Sequence, residues 1–177
     1  MKTAANLLAA LLFVLPALHA GDWKKELRRE IPLLGHRNWI VIADAAYPWQ
    51  VSPGVTTIET GASQTEVVRT VLRELDKTSH VTPAVLIDRE LDAVPEKASP
   101  GIGSYRAELA TLLRGKKPTR MPHEEIIRKL DEAGKTFHVL ILKTTMTQPY
   151  TSVFLQLQCG YWDAEREAAL RGVLRKN

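Results

Sequence analysis

Cysteine is almost missing: Cys159 is the only one in 177 residues. An internal disulfide is therefore excluded, and the fold must rest on its core. Cys159 ends the apolar-rich run VFLQLQC, and nothing near it in sequence would lower its pKa, so it reads as a buried, inert thiol. The chain has no Walker loop, no G-x-G-x-x-G after a strand, no G-x-S-x-G elbow and no H-E-x-x-H. His80, His123 and His138 stand far apart, and without paired ligand spacing no metal site is expected. Long basic blocks are also absent. Lys24-Lys25, Arg28-Arg29 and Lys116-Lys117 are short pairs that read as solvated faces, so no nucleic-acid partner is expected. No internal repeat and no low-complexity linker interrupts the sequence.

What is present begins with Lys2 and an apolar run from Ala4 to Leu18, closed by His19-Ala20-Gly21. A charged start, a short apolar stretch and a small residue before a polar one describe a signal peptide, residues 1–20, cleaved after Ala20. The run falls short of the ~20 residues of a membrane span. A secreted or periplasmic chain is expected, with no membrane attachment after cleavage. The 157 residues from Gly21 to Asn177 are enough for one domain with a real core.

Asp22 can cap a helix over 22–31, with Trp23, Leu27 and Ile31 on one face and Pro32 limiting it. WIVIA (39–43) and VTTIE (55–59) read as strands. Ser63-x-x-Glu66 is a capping box before a helical apolar spacing. A strand over 84–87 follows, with Pro83 at its start, then a long loop from Asp88 to Gly103. Ser104 can cap a helix ending at Gly115, and a second helix starts at Pro122 and ends near Gly134. FHVLILK and VFLQLQC are strands, and Asp163 can start a last helix. Strands alternating with helices predict a single three-layer α/β/α domain on a mostly parallel sheet. The short link between the last two strands allows them to pair antiparallel, which would make the sheet mixed.

Three segments put polar or aromatic groups at the ends of regular elements: Leu34-Gly-His-Arg-Asn with Asp44-Ala-Ala-Tyr-Pro, Pro122-His-Glu-Glu-Ile, and Thr147-Gln-Pro-Tyr-Thr-Ser. Such ends are where open α/β sheets bind ligands. Each also has a plainer reading. Gly35-His36 can be a turn, Asp44 a cap, His123 a helix start and Tyr150 a turn aromatic.

In order and type these segments resemble the D-ribose pyranase / L-fucose mutarotase family. The resemblance rests on Leu-Gly-His before a strand with Asp eight residues after the His (His36, Asp44), on His-Glu-Glu opening a late helix (His123), and on a Pro-Tyr element entering a terminal strand (Pro149, Tyr150, Thr151, Ser152). It runs roughly from Glu26 to Gly160. Asn38 stands where the family has an acidic residue, and Ser152 where it has Asn.

The resemblance implies a monosaccharide mutarotase or pyranase without metal or organic cofactor. His36 would be the catalytic acid/base, and Asp44, His123, Tyr150, Thr151 and Ser152 would bind the sugar. It also implies a ring-like homo-oligomer, a decamer among its forms, with pockets at subunit contacts. Fully extended, residues 36–44 would span about 26 Å at roughly 3.3 Å per residue, far more than one sugar. Either the chain bends near Arg37-Asn38, or His36 and Asp44 serve pockets completed by neighbouring copies. The alternatives are a non-catalytic sugar-binding or structural protein on the same fold, and an interaction module using the tail helix.

Overall fold

The computed structural model describes residues 22–175. The expected leader and its cleavage point lie outside the described residues. Among those described, no helix is long and apolar enough to cross a membrane.

The first helix, α1 (Trp23–Glu30), starts at Asp22, whose carboxylate accepts from the Lys24 and Lys25 N–H groups. Trp23, Leu27 and Ile31 are buried on one face, as their spacing predicts. Pro32 does not stop the chain there but carries it into a short 3-10 turn over Ile31–Leu33. The strand β1 (Trp39–Ala43) is buried along its whole length. β2 (Val55–Glu59) follows at the sheet margin. The helix α2 (Gln64–Leu75) is capped by Ser63, whose hydroxyl accepts from the Glu66 N–H. The Glu66 carboxylate pairs with Lys24 at 2.7 Å instead of reaching back to complete the capping box.

β3 (Val81–Asp88) is longer than predicted, and Pro83 lies inside it. The strand tolerates Pro83 because β4 (Thr119–Met121) pairs only with Leu86–Asp88, leaving that side of Pro83 without a ladder. The helix α3 (Ile102–Leu112) begins two residues before the expected Ser104. The Glu96 carboxylate, accepting from the Gly101 and Gly103 N–H groups, takes the capping role, and Gly101 supplies the left-handed turn at φ 89°. α4 (His123–Ala133) follows Pro122 directly. β5 (Val139–Lys143), β6 (Val153–Cys159) and α5 (Ala164–Leu174) complete the chain.

The six strands form one sheet in the order β2-β5-β1-β6-β3-β4. All pairings are parallel except those of β6, which runs antiparallel to both β1 and β3. The sheet is therefore mixed, but not through the pair the short link suggested. β1 lies between β5 and β6, and the connection 144–152 crosses its end. One face packs Ile40, Ile42, Leu140, Leu142 and Leu155 against α1, α2 and α3. The other packs Trp39, Val41, Ile141 and Phe154 against Ile126 and Leu130 of α4. The three layers are as predicted, while α5 buries none of its residues.

Candidate functional site

Because β1 to β5 run parallel, their C-terminal ends share one end of the sheet, and antiparallel β6 begins there. Asp44 follows β1, Asp88 ends β3, His123 follows β4 after Pro122, Thr144 follows β5, and Ser152 precedes β6.

Asp44 is fixed from three directions. The Ser152 hydroxyl donates to Asp44 Oδ2 at 3.0 Å and accepts from the Asp44 N–H at 3.2 Å. The Ala46 N–H donates to Oδ1 at 2.9 Å. Ser152, expected to bind sugar, is 2% exposed and its one proton goes to Asp44, so in this structure it anchors that carboxylate. Thr151, also expected at the sugar, is likewise turned inward. It is fully buried, and its hydroxyl donates to the Gln148 carbonyl within the turn.

Two residues unmarked in the sequence shape this end. Gln64, wholly buried, donates from Nε2 to the carbonyls of Ile42 (3.0 Å) and Thr151 (2.8 Å). Its Oε1 lies 2.6 Å from the Thr144 hydroxyl. One side chain thus ties the end of β1, the exit from β5 and the approach to β6. Tyr105 donates to the same Thr151 carbonyl at 2.5 Å, and burial holds its phenol above its ordinary range.

The turn before β6 places Tyr150 at φ 58°, the left-handed region, which is uncommon for an aromatic residue. Its ring meets the His123 ring edge to face, with centroids 5.6 Å apart. The His123 backbone N–H donates to the Glu90 carboxylate at 3.1–3.2 Å, which substitutes for a cap at the start of α4. His123 Nδ1 sits 3.1 Å from Asp88 Oδ1. Asp88 is fully buried, and burial pushes its carboxyl up to about 6, against the opposing pull of His123. The Tyr47 phenol, buried nearby and close to Asp131, Asp44 and Asp88, is pushed up to about 12. At neutral pH it stays a neutral hydroxyl.

His36 does not join this cluster. Arg37 does turn the chain, with φ 76°, but the turn is confined to the N-terminal side of β1: the Arg37 N–H donates to the Leu157 carbonyl, and Asn38 Oδ1 accepts from the Gly35 N–H. Extended β1 keeps His36 and Asp44 apart by roughly 20 Å at ~3.3 Å per residue. His36 is exposed and opens on a different cleft of about 960 Å³, lined also by Gln158, Cys159, Tyr161 and Trp162. Cys159 there is half-buried, not buried as expected. Next to Asp44 in the chain, Ala45 helps to line a cleft of about 280 Å³ with Trp49 and Lys143. Among the described residues no cluster of three His, Cys, Asp or Glu is placed to hold a metal ion.

Asp88 was findable by the signal that marks Asp44, a carboxylate directly after an apolar strand. Gln64 was not, because its partners lie 22, 80 and 87 positions away.

No curated protein matches the chain. Among solved structures, RbsD of Bacillus subtilis, complexed with D-ribose, aligns with TM-score 0.54 and 21% identity, over 78% of this chain and 93% of its own. FucU of Bifidobacterium longum aligns with TM-score 0.50 and 16% identity, over 74% and 90%. The fucose mutarotase of Streptococcus pneumoniae, in complex with L-fucose, aligns with TM-score 0.48 and 22% identity, over 82% and 96%. The first two likenesses show a shared fold. The sequence profile of one family also matches residues 23–160, everything from α1 to the residue after β6. The chain belongs to the RbsD / FucU transport protein family.

Proposed function

We propose that the chain interconverts the cyclic forms of a free monosaccharide by opening and reclosing its ring. The observation carrying this reading is the convergence of Asp44, His123 and Tyr150 on one sheet end, in a member of the RbsD / FucU family. A B. subtilis relative in fold was crystallised with D-ribose, which supports a monosaccharide ligand.

The reaction needs a base to take the proton of the anomeric hydroxyl and an acid to protonate the ring oxygen. The bond between the anomeric carbon and the ring oxygen breaks, and the anomeric carbon becomes a carbonyl. That end rotates, and the reverse transfers reclose the ring. Histidine suits both transfers, since its ordinary pKa of about 6.5 lets it hold or release a proton near neutrality. A positioned acid/base contributes on the order of 10²–10⁴-fold, enough for a reaction already under way in water. No metal or organic cofactor is required. His123 supplies one transfer; Asp44, fixed by Ser152 and Ala46, accepts sugar hydroxyls; Tyr150 offers a ring face and a hydroxyl.

His36 supplies the second transfer from a neighbouring copy. Its position at the far end of β1 from Asp44 supports that placement, which makes the functional unit a homo-oligomer. Export rests on the leader-like residues 1–20 alone, and N-terminal sequencing of the chain recovered from the host envelope or medium tests it.

A second reading, a sugar-binding protein without catalysis, is favoured by one observation: Ser152 spends its only proton on Asp44. Saturation-transfer NMR on a panel including D-ribose and L-fucose separates the two. Exchange that His36→Ala abolishes supports the proposal. Binding without exchange supports the second reading, and a monomer in light scattering at micromolar concentration removes the shared pocket.

A further inference from the structure

Asp88 has no structural employment. It ends β3, yet its side chain caps nothing in the short 3-10 turn over Arg89–Ala93 that follows. It is wholly buried, and neither of its oxygens has a hydrogen-bond partner among the described residues. His123 Nδ1 is likewise buried and without a partner. The two groups lie within ion-pairing reach, at 3.1 Å, but off the line of a hydrogen bond. A buried polar atom left unmade costs about 1–3 kcal/mol, and here three such atoms face each other. A small turn of the imidazole would satisfy two of them. Acid/base pairs are often loose without ligand and tighten when it binds.

We infer that Asp88 is the positioning residue of His123: it accepts the proton on Nδ1, and thereby leaves Nε2 as the atom that takes the proton of the anomeric hydroxyl. The inference rests on the sugar-exchange reading above for its substrate, not for its geometry.

The surroundings favour this arrangement. Glu90 holds the His123 backbone N–H, so the start of α4 cannot carry the ring away. Tyr150 meets the ring edge to face. The titratable groups facing Asp88 are His123 from α4, Glu90 from the 3-10 turn, Asp44 and Tyr47 from the loop after β1, and Tyr105 from α3. Of these, only His123 can become positive. When Nε2 takes the anomeric proton the ring becomes imidazolium, and the Asp88 carboxylate is the nearest opposite charge. On reclosure Nε2 returns that proton, so neither residue is changed over a cycle. Asp88 never touches sugar.

The test uses the full-length chain with ¹⁵N-labelled histidine. Ring nitrogen shifts report the tautomer without any sugar present, and His123→Gln assigns the signal. The wild-type ring is expected to carry its proton on Nδ1. In Asp88→Asn the amide can donate to Nδ1, and the proton is expected to move to Nε2. Anomer exchange in that variant should fall by at least ~10²-fold, the lower end of what a positioned acid/base contributes. Its fall-off toward acid should also flatten, which a merely structural role would not produce. Should Asp88→Asn fold poorly, Asp88→Leu removes the acceptor and should abolish the Nδ1–H preference. A tautomer unchanged by both variants, or a wild-type ring protonated on Nε2, overturns the inference. A wild-type chain with the Nδ1–H tautomer but no exchange on any sugar would instead count against the sugar-exchange reading.

Discussion

Ser152 and Asp44 hold each other twice: one hydroxyl donates to the carboxylate at 3.0 Å and accepts from the same residue's N–H at 3.2 Å. The pair locks the end of β1 to the start of β6. It also means that the orientation of the Asp44 carboxylate depends on a small hydroxyl from a distant strand.

Ser152→Ala is therefore expected to remove both bonds and leave the Asp44 N–H without its partner. A loss of about 1–3 kcal/mol in urea unfolding should result. Sugar affinity should fall in parallel, read by titration NMR. Unchanged stability would mean that water replaces the hydroxyl without cost.

Gln64→Leu keeps the volume and deletes the clamp on Ile42, Thr151 and Thr144. We expect a loss of at least ~2 kcal/mol, since two buried carbonyls lose a donor, although Thr151 keeps Tyr105. Amide exchange should quicken first over residues 148–153.

Asp88 makes stability depend on pH in an unusual direction. Its folded value, about 6, lies above its ordinary 3.8, so between these the folded chain binds more protons than the unfolded one. Its contribution is most favourable below about pH 4 and is lost as pH rises through about 6. At ~1.4 kcal/mol per unit the swing is on the order of 3 kcal/mol. Glu74 and Glu96, held low by Lys77 and by the Gly101 and Gly103 amides, act the opposite way. The comparison is therefore wild type against Asp88→Asn: the variant should gain relative stability from pH 4 to pH 6.5. A difference flat with pH would sink the assignment.

Mixing two inactive variants tests the shared pocket. His36→Ala and Asp44→Ala should each lose exchange. Co-expressed, they should recover activity, because about one site in four would pair an intact His36 with an intact Asp44 from a neighbouring copy. No recovery from assembled hybrids would mean that the two residues do not cooperate between copies.

Much of this was legible beforehand for a physical reason. WIVIA and VFLQLQC are strands to the residue because their apolar runs are buried in the sheet, and VTTIE is one to the residue at the sheet margin, where its β-branched residues suit a half-exposed strand. Asp22, Ser63 and Asp163 cap as expected because capping is local. β4 was not legible: Thr119–Arg120–Met121 is short, marginal and largely exposed, and only its pairing with β3 defines it. The helix start at Ile102 was set by Glu96, a side chain five and seven positions from the amides it holds. Asp44, His123 and Tyr150 were readable as strand-end and helix-start groups. That Ser152 and Thr151 face inward was not, because it depends on which distant strand lies beside them.

Strand β6 runs against both of its neighbours, so it covers in reverse the length that β1 covers between His36 and Asp44. It begins at the Asp44 end, beside Ser152, and finishes at the His36 end, where Gln158 lines the opposite cleft. It works as a ruler laid between the two ends of the sheet. A slip of its pairing by a single residue would lift Ser152 from Asp44 and move Gln158 from beside His36 in the same event. Damage to the register of β6 should therefore disturb both ends together, even where every polar residue remains in place.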